Sequence, residues 1–261
     1  MQSEATRLPV GKVIAGALIL AWERRHALLH ALWLPLLIGI VFTVSETLWG
    51  PSSWQQDASD QQSSRQGLLL LWTVPLFVLT VVFAVRSYRV YLLGDAQTRA
   101  MPPFSWSLRE TRFVFAMAGI AFLFALAAVT FGTVAGALWP GVGTFANGRF
   151  GLLLIVPPAY LAGRLLLAFP AIAIDDSVDV LQALGHSWSL SKHNGLRLLV
   201  LCVLTPALIA WSLGALSTLA IPGAALLTAV AVWLVMPVEL AVVALSYETL
   251  KRESAAATPD A

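Results

Sequence analysis

Long runs without a charged residue limit what this chain can fold into more than any other feature. A helix needs on the order of 20 mostly apolar residues to cross a hydrocarbon core about 30 Å thick. Between Arg25 and Glu46 there are 20 uncharged residues, between Arg65 and Arg86 another 20, and between Arg112 and Arg149 there are 36. After Arg197 come 41 more before Glu239. The stretch from Phe150 to Ile174 is broken only by Arg164, and that from Ala224 to Tyr247 only by Glu239. The 41-residue run is too long for one span, and Ile221-Pro222-Gly223 supplies a turn that divides it. Six spans are expected, near 27–48, 67–92, 113–139, 150–174, 196–219 and 224–249.

A transmembrane barrel would need alternating segments of about 10 residues, whereas these runs are continuous. Helices satisfy every backbone group internally, so the expected fold is all-α, an integral membrane bundle. Composition points the same way: 58% of the 261 residues are hydrophobic and 11% charged, against about 25% charged in soluble domains. A net charge of +2, with no basic stretch interleaved with aromatics, argues against nucleic acid as a partner. The single cysteine, Cys202, excludes an intramolecular disulfide and any multi-cysteine metal site.

Lysine and arginine are retained on the cytoplasmic side of short loops. Arg7, Lys12, Arg24 and Arg25 precede the first span, and five arginines from Arg86 to Arg112 surround the connection between spans two and three. Arg164, Lys192 and Arg197 lie on the four-to-five side, and Lys251 and Arg252 follow the last span. These are 14 of the 16 basic residues, leaving only Arg65 and Arg149 opposite. Both termini are therefore expected to be cytoplasmic. The apolar stretch Val13 to Ala21 is followed by Glu23-Arg24-Arg25 rather than a small-residue cleavage site, so no cleaved signal peptide is expected.

The expected organisation is one membrane domain, 10–250, between flexible tails at 1–9 and 251–261. Residues 50–66, rich in serine and glutamine, read as a mobile outer loop. On the inner side, Val10, Val13, Ile14, Ala17, Leu18 and Ala21 recur at helical spacing. In 177–194, Val178, Leu181, Leu184 and Trp188 form an apolar stripe, and Asn194-Gly195 is expected to end that helix. Both suit helices lying in the membrane interface, the other reading being cytosolic extensions of the neighbouring spans. Pro75, Pro157 and Pro237 recur at spacings of 82 and 80 residues in the even-numbered spans. Three hairpin repeats with kinks at matched depth would produce this, as would ordinary proline usage in membrane helices.

Several local patterns carry less. Gly132 and Gly136 form GxxxG, which could let a helix approach closely, although ordinary glycine usage also produces it. Glu23, His26 and His30 share one helical face, but no motif completes a metal site. His186 and Ser187 are adjacent, and neighbouring helical side chains diverge. Cys202 lies in span five as an apolar-facing thiol. No catalytic residue, cofactor or metal is expected, and none of GxSxG, HExxH or a Walker A sequence is present.

The stretch from Gly163 to Leu199, together with Ala244-Leu245-Ser246-Tyr247-Glu248-Thr249-Leu250-Lys251, resembles the membrane domain attached in some bacteria to glycerophosphodiester phosphodiesterases. It is also similar to related stand-alone six-helix inner-membrane proteins. The positions that carry the resemblance are Arg164, Phe169-Pro170, Asp175, Ala183-Leu184, Ser187-Trp188, Asn194, Arg197, Tyr247 and Leu250. It implies a bacterial cytoplasmic-membrane location and brings no catalysis with it, because the phosphodiesterase barrel belongs to a different domain. The expectation is a non-enzymatic multi-pass protein that organises lipid or an unidentified membrane or cytoplasmic partner. A transporter or permease subunit is the alternative.

Arg164 and Glu239 are the two charges inside otherwise continuous spans, each ten residues before its inner helix end. At about 1.5 Å per residue, both would lie roughly 15 Å from that end, where an unpaired charge is costly. An ion pair between Arg164 and Glu239 is therefore expected, locking span four against span six. The competing reading is that Arg164 snorkels past a helix broken at Pro170, with Glu239 protonated or lining a small polar cavity.

Overall fold

In long apolar runs the helix is the conformation that bonds its own backbone, and helices dominate the computed structural model. Residues 8–49, 62–94, 106–138, 151–217 and 224–257 are described, with no strand among them. In chain order they form α1 (Val10–Glu23), α2 (Arg25–Trp49), α3 (Gln62–Leu93), α4 (Leu108–Leu138) and α5 (Gly151–Leu165). There follow α6 (Ala168–Ile174), α7 (Val180–Leu190), α8 (Gly195–Leu199), a π-helical turn (Val200–Leu204), α9 (Thr205–Ser217) and α10 (Ala224–Ala257).

Among the described residues, five stretches are long and apolar enough to cross a membrane: Thr73–Leu93, Leu108–Ala137, Ile155–Ile174, Gly195–Leu216 and Val230–Ala256. The expected first span, 27–48, falls within the single helix α2, whose apolar stretch among the described side chains is the shorter Leu32–Val41. The large apolar side chains that α4 and α9 leave exposed, including Phe115, Phe122, Val129, Leu208 and Trp211, would be anomalous against water and are ordinary against lipid.

The C-terminal half of α3 is the axis of the core. Every residue from Val81 to Tyr91 is buried, packed among α2, α4, α6 and α10. Phe113 of α4 stacks on Phe169 of α6 with ring centroids 4.6 Å apart, and Tyr88 of α3 lies 6.3 Å from Phe113. Gly94, at φ +80°, ends α3 in the left-handed conformation that glycine adopts without steric cost.

Two spans are interrupted, each upstream of a proline. The α5–α6 line breaks at Leu166–Leu167 rather than at Pro170. Proline has no N–H and crowds the carbonyl four residues earlier, here that of Leu166. The Phe169 amide donates to that carbonyl instead, at 3.2 Å, which tightens the chain into a turn. In span five the π-helical turn precedes Pro206, which cannot donate to the carbonyl of Cys202. The Thr205 hydroxyl donates to the Val200 carbonyl at 2.9 Å across the widened turn. Pro75, Pro157 and Pro237, the prolines of the expected repeat, all lie inside helices, α3, α5 and α10, which continue through them.

Ordered structure extends beyond the expected domain limits. Leu8 is fully buried, and α10 runs to Ala257, so the tails expected at 1–9 and 251–261 are in part built into the fold. Of the expected outer loop, 62–66 is the start of α3, while 50–61 lies outside the described residues.

Candidate functional site

The polar residues of α5, α7 and α8 converge on one belt at the end of the bundle that holds Leu8. Arg164 occupies the last turn of α5 and is only 8% exposed. Its Nε donates to Ser191 Oγ at 2.9 Å, and Nη2 donates to the Trp188 carbonyl at 2.7 Å. The guanidinium carbon stands 3.6 Å from the centroid of a Trp188 ring. In the reverse direction, Ser187 Oγ donates to the carbonyl of Arg164 at 2.6 Å. Here a buried cation is held by a carbonyl dipole, a hydroxyl and an aromatic face, with no carboxylate paired to it among the described residues.

The expected Arg164–Glu239 ion pair does not form. The Arg164 donors are turned to α7, while Glu239 is partly buried midway along α10. That expectation rests on equal sequence offsets, and an offset along a helix does not set bearing around the bundle. α5 packs principally on α4 and α8, whereas α10 packs on α1, α2, α3 and α9. Nor does Arg164 snorkel to the inner surface, since it is buried.

Small residues permit this close assembly. A Cβ on Gly163 would stand 3.2 Å from the Leu199 backbone, so α5 and α8 approach through a glycine. A Cβ on Gly195 would meet the Tyr160 hydroxyl at 2.5 Å and its ring at 2.6–2.7 Å. The buried face of α7 is likewise small: Ala183 and Ser187, continued by Ser191, point inward, and Leu181 and Trp188 of the expected apolar stripe are exposed. α7 ends at Leu190, four residues before the expected Asn194-Gly195 stop, because Ser191 to Asn194 form tight turns instead. Asn194 and Arg197 then clamp the segment before α1. The Leu8 amide donates to Asn194 Oδ1 at 2.9 Å, and Arg197 Nη1 donates to the Leu8 carbonyl at 2.7 Å.

A second arm reaches in from α4. Ser107 and Glu110 form a capping box in which the Ser107 amide donates to Glu110 Oε2 at 2.7 Å. Capping brings Arg109 and Arg112 to the loop between α6 and α7. There Arg109 pairs with the Asp176 carboxylate, and Arg112 donates to the carbonyls of Asp176 and Val178. In the same loop, hydrogen bonds from the Ser177 hydroxyl and amide hold the Asp175 carboxyl below the ordinary carboxylate range.

Other sequence candidates do not assemble. Glu23 ends α1 while His26 and His30 lie beyond Arg24 on α2, and among the described residues no group of three His, Cys, Asp or Glu could hold a metal ion. Gly132 has open space where its Cβ would be, so the GxxxG face has no neighbour there within the described chain. His186 is exposed while Ser187 is buried against Arg164. Cys202 is buried.

Sequence reasoning did not identify the Leu8 clamp, the Arg109–Asp176 pair or the role of Ser191. One signal bore on the belt: Arg164, Ser187, Trp188, Asn194 and Arg197 are all positions that carry the resemblance noted above, and the fold gathers them. Comparison with protein-family models, curated proteins and solved structures finds no match to this chain.

Proposed function

We propose that this chain is a six-span, non-enzymatic protein of a bacterial cytoplasmic membrane that organises lipid or a protein partner at the inner surface. In this reading α2 is the sixth span, both termini are cytoplasmic, and the chain is akin to the membrane domain of glycerophosphodiester phosphodiesterases. The observation that carries it is the use made of the inner arginines. Arg164, Arg197, Arg112 and Arg89 each donate to a backbone carbonyl of another segment, at Trp188, Leu8, Asp176 and Ala173 respectively. Such bonds fix short helices as a rigid platform. α1 and α7 then present Leu18, Ile19 and Trp22, and Leu181 and Trp188, on exposed apolar faces at headgroup depth.

A transporter subunit is the second reading, favoured by the paired interruptions at 166–167 and 200–204 on α5–α6 and α8–α9. Broken helices near mid-membrane are how many transporters expose backbone groups to substrate. The test is purification in native lipid particles, followed by identification of retained lipid and protein, with reconstitution into liposomes alongside. A stoichiometric lipid or protein companion without solute flux is expected. Substrate-dependent flux would overturn the organising role in favour of transport.

A further inference from the structure

An apolar groove of about 370 Å³ lies where α1, α2 and α10 meet, outside the Arg164 belt. Its floor is closed by Leu32, Phe83 and Trp233, all at most 4% exposed. Phe83 and Trp233 meet edge to face with ring centroids 5.7 Å apart. Its walls, including Leu18, Leu29 and Leu234, are exposed. Among the described residues, Arg25 is the one charged side chain lining it. That guanidinium is braced at the rim by Trp22: Nη1 donates to the Trp22 carbonyl at 2.9 Å, and the guanidinium carbon stands 4.6 Å from a Trp22 ring centroid. No carboxylate among the described residues pairs with it, which leaves most of its five donors facing outward.

We infer that this groove holds one acyl chain of an anionic phospholipid of the inner leaflet, with the headgroup phosphate on Arg25. Two independent features fit that occupant. Along α2 the lining runs from Arg25 to Leu36, a rise of roughly 16 Å at about 1.5 Å per residue. This is about half of a hydrocarbon core some 30 Å thick, the depth of a single leaflet. The polar end is cationic and tryptophan-flanked and the rest is apolar, matching the order of phosphate and chain in a lipid. A guanidinium fork suits phosphate oxygens better than a single ammonium does, and a zwitterionic headgroup offsets part of the attraction.

The inference rests on the proposed orientation, with Arg25 at the inner surface, which thiol labelling from outside intact cells tests separately. If labelling supports that orientation and lipid retention fails, the groove site alone is lost. The test is native mass spectrometry of the full chain in detergent, titrated with phosphatidylglycerol or phosphatidylcholine. The wild type is expected to retain one phosphatidylglycerol in preference to phosphatidylcholine. Arg25→Gln should reduce that preference about tenfold, the scale of one charge-assisted contact, while Arg25→Lys keeps part of it. Leu29→Trp, which fills the exposed wall without touching the floor, should reduce retention of both lipids. Equal retention of the two lipids by the wild type, or an unchanged preference in Arg25→Gln, overturns the site. Concentration-dependent dimerisation abolished by Leu29→Trp, with no lipid retained, would assign the groove to a second copy instead.

Discussion

Arg164 shows how a cation is kept inside an apolar bundle without a counter-charge. Its planar fork bonds a carbonyl and a hydroxyl at once while one face covers Trp188, a combination that a lysine ammonium cannot reproduce. Arg164→Ala should cost about 2–4 kcal/mol, since it removes charge-assisted bonds and leaves buried acceptors unmet. Arg164→Lys should recover a minor part. In double-mutant cycles read by thermal unfolding in detergent, Arg164→Ala and Ser191→Ala should couple. Arg164→Ala and Glu239→Ala should add to within about 0.5 kcal/mol. Stronger coupling to Glu239 than to Ser191 would contradict the geometry. The sequence marked Arg164 as unusual, but its partners lie 23 to 27 residues ahead on an element whose rotation no local pattern specifies.

Among the elements, the interrupted spans decide how closely α5, α7 and α8 approach. Gly195 is the sharpest constraint, because a Cβ there would fall within 2.7 Å of ring atoms of Tyr160, which itself lies beneath Arg164. Gly195→Val should destabilise by about 1–3 kcal/mol through overpacking, and the loss should be smaller in a Tyr160→Leu background. Gly119→Ala in α4, where a Cβ meets nothing within 4 Å, is the contrast. It should be neutral or stabilising by up to about 1 kcal/mol, since alanine loses less backbone freedom in a helix. Unfolding midpoints of the three variants test the set, and equal losses for Gly195→Val and Gly119→Ala would refute the packing account. Proline position alone did not tell which spans break, since Pro75, Pro157 and Pro237 lie inside continuous helices while the interruptions precede Pro170 and Pro206. Their location upstream follows from the carbonyl that each proline leaves without its usual donor, which moved the first break from Pro170 to Leu166–Leu167.

For the whole molecule, the distribution of 14 basic residues against 2 sets the expected direction of insertion. In a Cys202→Ala background, cysteines at Ser59 and Asn147 should react with an impermeant thiol reagent added to intact cells. Those at Ser105 and Ser254 should react only after permeabilisation. Labelling of Ser105 in intact cells would reverse the orientation and with it the position of Arg25. Five membrane-length helices and the placement of two short amphipathic ones were legible in the sequence, because length, hydropathy and period are properties of contiguous residues. The inward face of α7 was not, as its small residues Ala183 and Ser187 are buried while Leu181 is left exposed, the reverse of the pattern in water. In lipid, leucine gains little by turning from acyl chains to protein, so close packing and hydrogen bonds choose the inward face. The sequence by itself determined helix and membrane-length apolar stretches, because each is settled within about twenty neighbouring residues. Only the tertiary structure decided that Arg164 meets Ser191 rather than Glu239, and that Asn194 and Arg197 seize Leu8. Those partnerships depend on rotation around the bundle, which apolar contacts in a membrane barely distinguish and a few glycines, hydroxyls and guanidinium groups set.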